Sequence, residues 1–189
     1  MSEARSALPG TAYLGTARIE EAGPMGMVTL RGDHAASALR AAVHDVAGVD
    51  VPAQRRIAMD GARGAAWMSP DELLILVPHA QAGATAARLA EILKGTHHLA
   101  ADVSDARAVF RLSGGNAREV LAKLSPTDMA VFPAGEVRRT RLAQTAAAFW
   151  SDGADPETFT IVCFRSVAQY VFDLLKISAE PGSEIGLWP

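Results

Sequence analysis

Val28-Thr29-Leu30-Arg31-Gly32-Asp33-His34-Ala35 is answered, about 82 positions later, by Phe110-Arg111-Leu112-Ser113-Gly114-Gly115-Asn116-Ala117. Each copy reads as an apolar strand, a glycine turn and the opening of an amphipathic helix. A tryptophan follows each copy at a matching interval, Trp67 and Trp150. After each tryptophan come an acidic turn, a second apolar strand (72–77 and 159–164) and a second helix. A duplicated unit constrains the architecture before any single motif is weighed. Strand, helix, two strands and helix, twice over, is the order of ferredoxin-like split βαβ units. The sequence therefore predicts an internally duplicated α+β fold, with antiparallel-rich sheets carrying helices on one face.

Working outward, residues 1–24 read as an N-terminal extension, 25–96 as the first repeat, 97–178 as the second and 179–189 as a C-terminal tail. No Pro/Ser/Gly linker separates the copies, so they are expected to pack as one compact unit. Asp33 suits a helix N-cap, followed by a stripe of Ala35, Leu39, Ala42, Val43 and Val46 and a stop at Gly48. Residues 50–64 read as turns, and 65–68 with 72–77 as a hairpin about Ser69-Pro70-Asp71. A helix over 80–93 should bury Ala86, Leu89, Ala90 and Leu93. In the second copy, strands over 98–103 and 107–112 flank Ser104-Asp105-Ala106, and Asn116 caps a helix with Ala117, Val120, Leu121 and Leu124 inward. Residues 137–144 and 145–150 form a strand pair, and a loop over 151–156 corresponds to the shorter Ser69-Pro70-Asp71 turn. The last helix, 166–177, shows a stripe of Val167, Tyr170, Val171, Leu174 and Ile177, which is assigned to the core.

Composition narrows the function. With 49% hydrophobic and 21% charged residues the chain has a soluble globular make-up. A net charge of −3 and scattered basic residues argue against nucleic acid. No stretch approaches a membrane span or a signal peptide, and the single cysteine suits a reducing compartment, so a cytoplasmic location is expected.

Reactive constellations are scarce. The glycine turns lack GxGxxG spacing and any Gly-Lys-Ser/Thr ending, which leaves them structural. His34, His44, His79, His97 and His98 form no HxxxH or HExxH pair, so metal ligation has little support. Asp102, Asp105 and Arg107 cluster at a turn, where Asx-turn chemistry through Asp105 explains them better than a paired-carboxylate site. Cys163 lies in the apolar run Thr160-Ile161-Val162-Cys163-Phe164 and reads as a buried small hydrophobe. No GxSxG elbow surrounds a serine. No catalytic, cofactor-binding or metal-binding residue is therefore assigned. The apolar end Ile185-Gly186-Leu187-Trp188 is unusual for a terminus, and Leu187 and Trp188 are candidate anchors docked in cis or in trans.

Asp102-Val103-Ser104-Asp105-Ala106-Arg107 leading into Phe110-Arg111-Leu112-Ser113-Gly114, then Phe132-Pro133-Ala134-Gly135 and Arg139-Thr140-Arg141-Leu142-Ala143, resemble the gamma subunit of heterotetrameric sarcosine oxidase. Trp150 and the strand after it continue the likeness, which covers roughly residues 25–178. That family is similar in fold to the folate-binding half of glycine-cleavage aminomethyltransferase. The resemblance implies a non-catalytic subunit supporting a complex that demethylates sarcosine to glycine, giving hydrogen peroxide with formaldehyde or 5,10-methylenetetrahydrofolate. It also implies partners: chiefly an alpha subunit holding NAD and the tetrahydrofolate site, with a beta subunit holding FAD and FMN and a delta subunit holding zinc. No cofactor is implied for this chain. The alternatives are a stand-alone folate-binding or one-carbon-transfer protein, with Arg139 and Arg141 facing a glutamate tail, and a chain that self-associates when isolated.

Overall fold

Apolar alternation and glycine punctuation produce the elements that the repeat implies, in the order β1 (Ala12–Leu14), β2 (Arg18–Glu21), β3 (Gly26–Arg31), α1 (Ser37–Ala47), β4 (Ile57–Asp60), β5 (Arg63–Ser69), β6 (Glu72–Val77), α2 (Ala82–Ile92), β7 (Leu99–Asp102), β8 (Arg107–Ser113), α3 (Ala117–Leu124), β9 (Val137–Leu142), β10 (Thr145–Ser151), β11 (Thr158–Phe164) and α4 (Ala168–Ser178). The structure is a computed structural model that describes residues 4–151 and 157–187. The chain divides into two units, one from Met25 to Ser104 and one joining the N-terminal stretch up to Pro24 with Asp105 onward.

In the Met25–Ser104 unit the sheet order is β4-β5-β6-β3-β7, with every pairing antiparallel. Taking β3, β5, β6 and β7 as the four strands of a split βαβ unit gives the ferredoxin-like arrangement, with β4 added at one edge. Val28 and Leu30 of β3 share a core with Leu73, Ile75 and Val77 of β6, all fully or almost fully buried. Leu39, Val43 and Val46 of α1 and Leu89 of α2 close that core from the helical side.

The other unit repeats the plan with one exchange. Its sheet order is β1-β2-β8-β11-β10-β9, again antiparallel throughout. β8, β10 and β11 correspond to β3, β5 and β6, but the fourth strand is β2, which comes from ahead of the first repeat. The slot filled by β7 in one unit is thus filled by β2 in the other, with Ile19 opposite Leu112. Ile19, Phe110, Leu112, Phe149, Phe159 and Ile161 form the sheet side of this core, and Val120, Leu121, Val171 and Leu175 the helix side. Phe132 sits 5.4 Å from Phe149 and 6.1 Å from Phe159, centroid to centroid.

Several local expectations are corrected. Asp33 does not cap α1: its carboxylate accepts the Ala35 N–H at 2.9 Å, and the helix starts at Ser37, leaving Ala35 exposed. Residues 57–60 form β4 where turns were expected. In α2, Ala82, Thr85 and Leu89 face inward and Ala90 is exposed. His98 precedes β7 and bonds the Thr96 carbonyl through Nδ1 instead of lying in a strand. The largest shift is in α4, where the buried stripe is Ala168, Val171, Phe172 and Leu175. Tyr170 and Ile177, assigned to the core, are 41% and 61% exposed. The helix is apolar on more than one face, so periodicity did not select the inner one.

Gly15, in the turn between β1 and β2, allows a close crossing over the end of α4. Thr16 donates its N–H to the Ala179 carbonyl at 2.8 Å, and a Cβ at Gly15 would lie 2.0 Å from that same oxygen. Gly15→Ala is therefore expected to lower stability by about 1–3 kcal/mol in chemical denaturation, the usual range for overpacking.

Candidate functional site

The two glycine turns have local explanations in packing and backbone conformation. A Cβ on Gly32 would come within 2.8 Å of Leu39 Cδ1, so glycine there serves the packing of strand end against α1. Gly114 has φ +110°, a conformation that L side chains rarely adopt. The acidic cluster also has a local account, in which Asp102 takes part. Asp102 accepts both the N–H and the hydroxyl of Ser104, at 3.0 and 2.6 Å, and Ser104 Oγ in turn accepts the Met27 N–H at 3.0 Å. Arg107 lies over the Phe164 ring, 4.1 Å from its centroid.

Cys163 is 2% exposed, and burial pushes its thiol up to about 11 while Arg107 partly opposes the shift. A thiol in that range is not a nucleophile at neutral pH. The native protein should resist thiol labelling at pH 8 for hours and react promptly in denaturant; fast native labelling would contradict this burial.

An open groove of about 320 Å³ on the Met25–Ser104 unit is lined by Asp45, Val46, Arg63, Gln81, Thr85 and Arg88. Its cations are already engaged. Arg63 donates to the Val46 carbonyl at 2.7 Å and to Gln81 Oε1 at 2.5 Å, and Arg88 donates to Asp45 at 2.9 Å. Arg118 is similarly occupied, donating to the Glu157 carboxylate and to the carbonyls of Met129 and Phe132. Arg139 and Arg141 alternate along β9 opposite Ala148 and Ala146, so both are exposed on one sheet face, while Arg138 on the opposite face pairs with Glu136. Among the described residues no group of three or more His, Cys, Asp or Glu is placed to hold a metal ion. Among the described residues, too, no helix is long and apolar enough to cross a membrane.

The apolar end is the remaining candidate, and here the structure supplies residues that the sequence reading did not single out. Glu119, in the first turn of α3, is 7% exposed and accepts the N–H groups of Ile185, Gly186 and Leu187 at 2.8, 3.1 and 3.3 Å. Lys123, one turn on, lies 3.4 Å from Glu119 and donates to the carbonyls of Ser178 and Ser183 at 2.9 and 2.7 Å. The backbone of the tail is thus docked in cis. Its side chains are not: Ile185 is 61% and Leu187 46% exposed, and Trp188 lies outside the described residues. The N–H of Ile185, then that of Leu187 and the Lys123 ammonium, hold the Glu119 carboxyl below its ordinary value of 4.5, against the desolvation that raises it. A carboxyl lowered in the folded state stabilises above its unfolded value, and that stabilisation is lost as pH falls through the lowered one. The amide resonances of Ile185 and Leu187 should therefore stay fixed from pH 7 to 5 and move only below 4.5; movement near neutrality would contradict the latch. The Glu–Lys pair at i,i+4 was visible in sequence, but a capture of backbone some 66 residues away leaves no side-chain pattern to read.

The chain is similar in structure to heterotetrameric sarcosine oxidase from Corynebacterium sp. U-96, solved in complex with pyrrole 2-carboxylate, with a TM-score of 0.78 at 24% identity over 89% of this chain and 87% of that one. It is also similar to the glycine cleavage system aminomethyltransferase T from Bartonella henselae, with a TM-score of 0.63 at 17% identity over 85% of this chain and 45% of that chain. No curated protein matches by sequence. The model of the sarcosine oxidase, gamma subunit family matches residues 31–180, from the end of β3 to just past α4. The chain belongs to the sarcosine oxidase gamma subunit family.

Proposed function

We propose that this chain is a non-catalytic subunit of a heterotetrameric sarcosine oxidase and supports the assembly of the larger subunits. The family match over residues 31–180 carries the proposal, and likeness over 89% of the chain to a chain of a heterotetrameric oxidase supports it. The state of the polar groups agrees: Arg63, Arg88 and Arg118 are spent on internal contacts, and the Cys163 thiol is buried and hard to ionise. In this reading oxidative demethylation of sarcosine to glycine takes place in companion alpha and beta subunits. FAD, FMN, NAD, tetrahydrofolate and zinc reside in those chains and the delta subunit, in the cytoplasm. This chain packs chiefly against alpha.

Co-production with and without the three companion chains tests the reading. The chain alone should consume no oxygen with sarcosine and should co-purify with the others when they are present. An oxidase that forms with full activity while this chain never co-purifies would overturn it. Arg139 and Arg141, exposed on one face of β9, keep a folate-binding reading in view. Heat on calorimetric titration of the isolated chain with tetrahydrofolate would favour that rival, and its absence at high ligand concentration removes it.

A further inference from the structure

Order and burial are separated in the C-terminal segment. Termini ordinarily fray unless something ties them down, and what usually ties them is burial of their apolar side chains. In residues 183–187 the tie is polar. One 7%-exposed carboxylate, Glu119, takes three successive N–H groups, and Lys123 bridges the Ser178 and Ser183 carbonyls. The Ser183 hydroxyl adds a bond to the Ser178 carbonyl at 3.0 Å. Ile185 and Leu187 nonetheless remain 61% and 46% exposed, so folding of this chain draws little from them. Ile177, adjacent in the chain to Ser178, is exposed to the same extent as Ile185. Fixing the backbone of an apolar segment without burying its side chains removes, ahead of time, the ordering cost that a partner would otherwise meet.

The flanks say what sort of surface fits. Glu180 and Glu184 are exposed beside the apolar side chains, and residues 180–187 contain no basic residue. Lys123, the neighbouring cation, is 15% exposed and held inward on carbonyls. A complementary surface has an apolar cleft for two aliphatic side chains and a basic rim for two carboxylates.

We propose that residues 183–187 form a preordered docking strap, held by Glu119 and Lys123, whose Ile185 and Leu187 side chains seat in an apolar, basic-rimmed cleft on a larger subunit of the oxidase. The inference rests on the subunit reading above and names its contact surface.

The test uses the full chain with its companion subunits. The wild type and the double variant Ile185→Asp/Leu187→Asp are captured on a tagged larger subunit, and dissociation is followed after washing. The double variant should melt within a few degrees of wild type and bind at least about tenfold more weakly, as expected for loss of central aliphatic anchors. Met59→Asp, a change at another exposed apolar residue on the Met25–Ser104 unit, should bind as wild type does. Glu119→Gln should lose amide protection at residues 185–187 and dissociate faster. Wild-type affinity in the Asp double variant would overturn the strap while leaving the subunit reading intact. Failure of the wild type itself to assemble would overturn the subunit reading, and the strap with it. Light scattering of the isolated chain supplies the remaining arm: a dimer abolished by the double variant would assign the surface to a second copy and overturn the proposal.

Discussion

A chain lacking residues 1–24 is expected to lose the fold of the Asp105-onward unit while the Met25–Ser104 unit persists. β2 is the fourth strand of a ferredoxin-like sheet and flanks β8 from Arg18 to Glu21. Ile19 is completely buried and Ala17 is 2% exposed, both in the core with Phe110 and Leu112. Removal strips the ladder from one side of β8 and leaves a long apolar edge unpaired. It also uncovers core side chains whose burial is worth about 1.5–3 kcal/mol apiece. Units of this size have stabilities of roughly 5–15 kcal/mol in total, so the loss is large enough to unfold one. Limited proteolysis should then leave a resistant fragment beginning near residue 25 and ending near 104. A truncated chain that stays resistant through α4 would show β2 to be dispensable.

Phe149→Ala should be the most damaging single substitution in the core of that unit. The ring is fully buried, lies 5.4 Å from Phe132 and stands on β10 opposite Ile161. Truncation removes aromatic burial and leaves a cavity that a strand paired along both edges cannot close, for a cost of about 3–5 kcal/mol. Phe164→Ala provides the contrast. That ring is 47% exposed and covered by Arg107, so its loss should cost about 1 kcal/mol or less. Urea denaturation of the two variants should separate them clearly. Equal effects would contradict the placement of the core.

The legible part of the fold was the part written in alternating apolar residues. β3, β6, β8 and β11 are central strands whose inward faces are Val, Leu, Ile and Phe, and the duplication exposed all of them. Edge strands carry weaker signals. β4 has four residues, none fully buried, and follows Arg55 at φ 60°, so its surroundings read as turns. β2 contains one buried residue, Ile19, among Arg and Glu, and nothing local reveals that it completes a sheet begun 90 residues later. α4 failed for the opposite reason, since its apolar residues cover more than one face and the stripe chosen left Tyr170 and Ile177 in solvent. For the tail, composition pointed to the right segment, but the Glu119 latch depends on backbone N–H groups, which every residue type except proline supplies equally.

The most direct measurement is native mass spectrometry of the oxidase reconstituted from separately purified subunits, with this chain either supplied or withheld. The account predicts one copy of the chain in every intact four-chain particle and a collapse in particle yield on omission. Intact, fully active particles formed in its absence would contradict it.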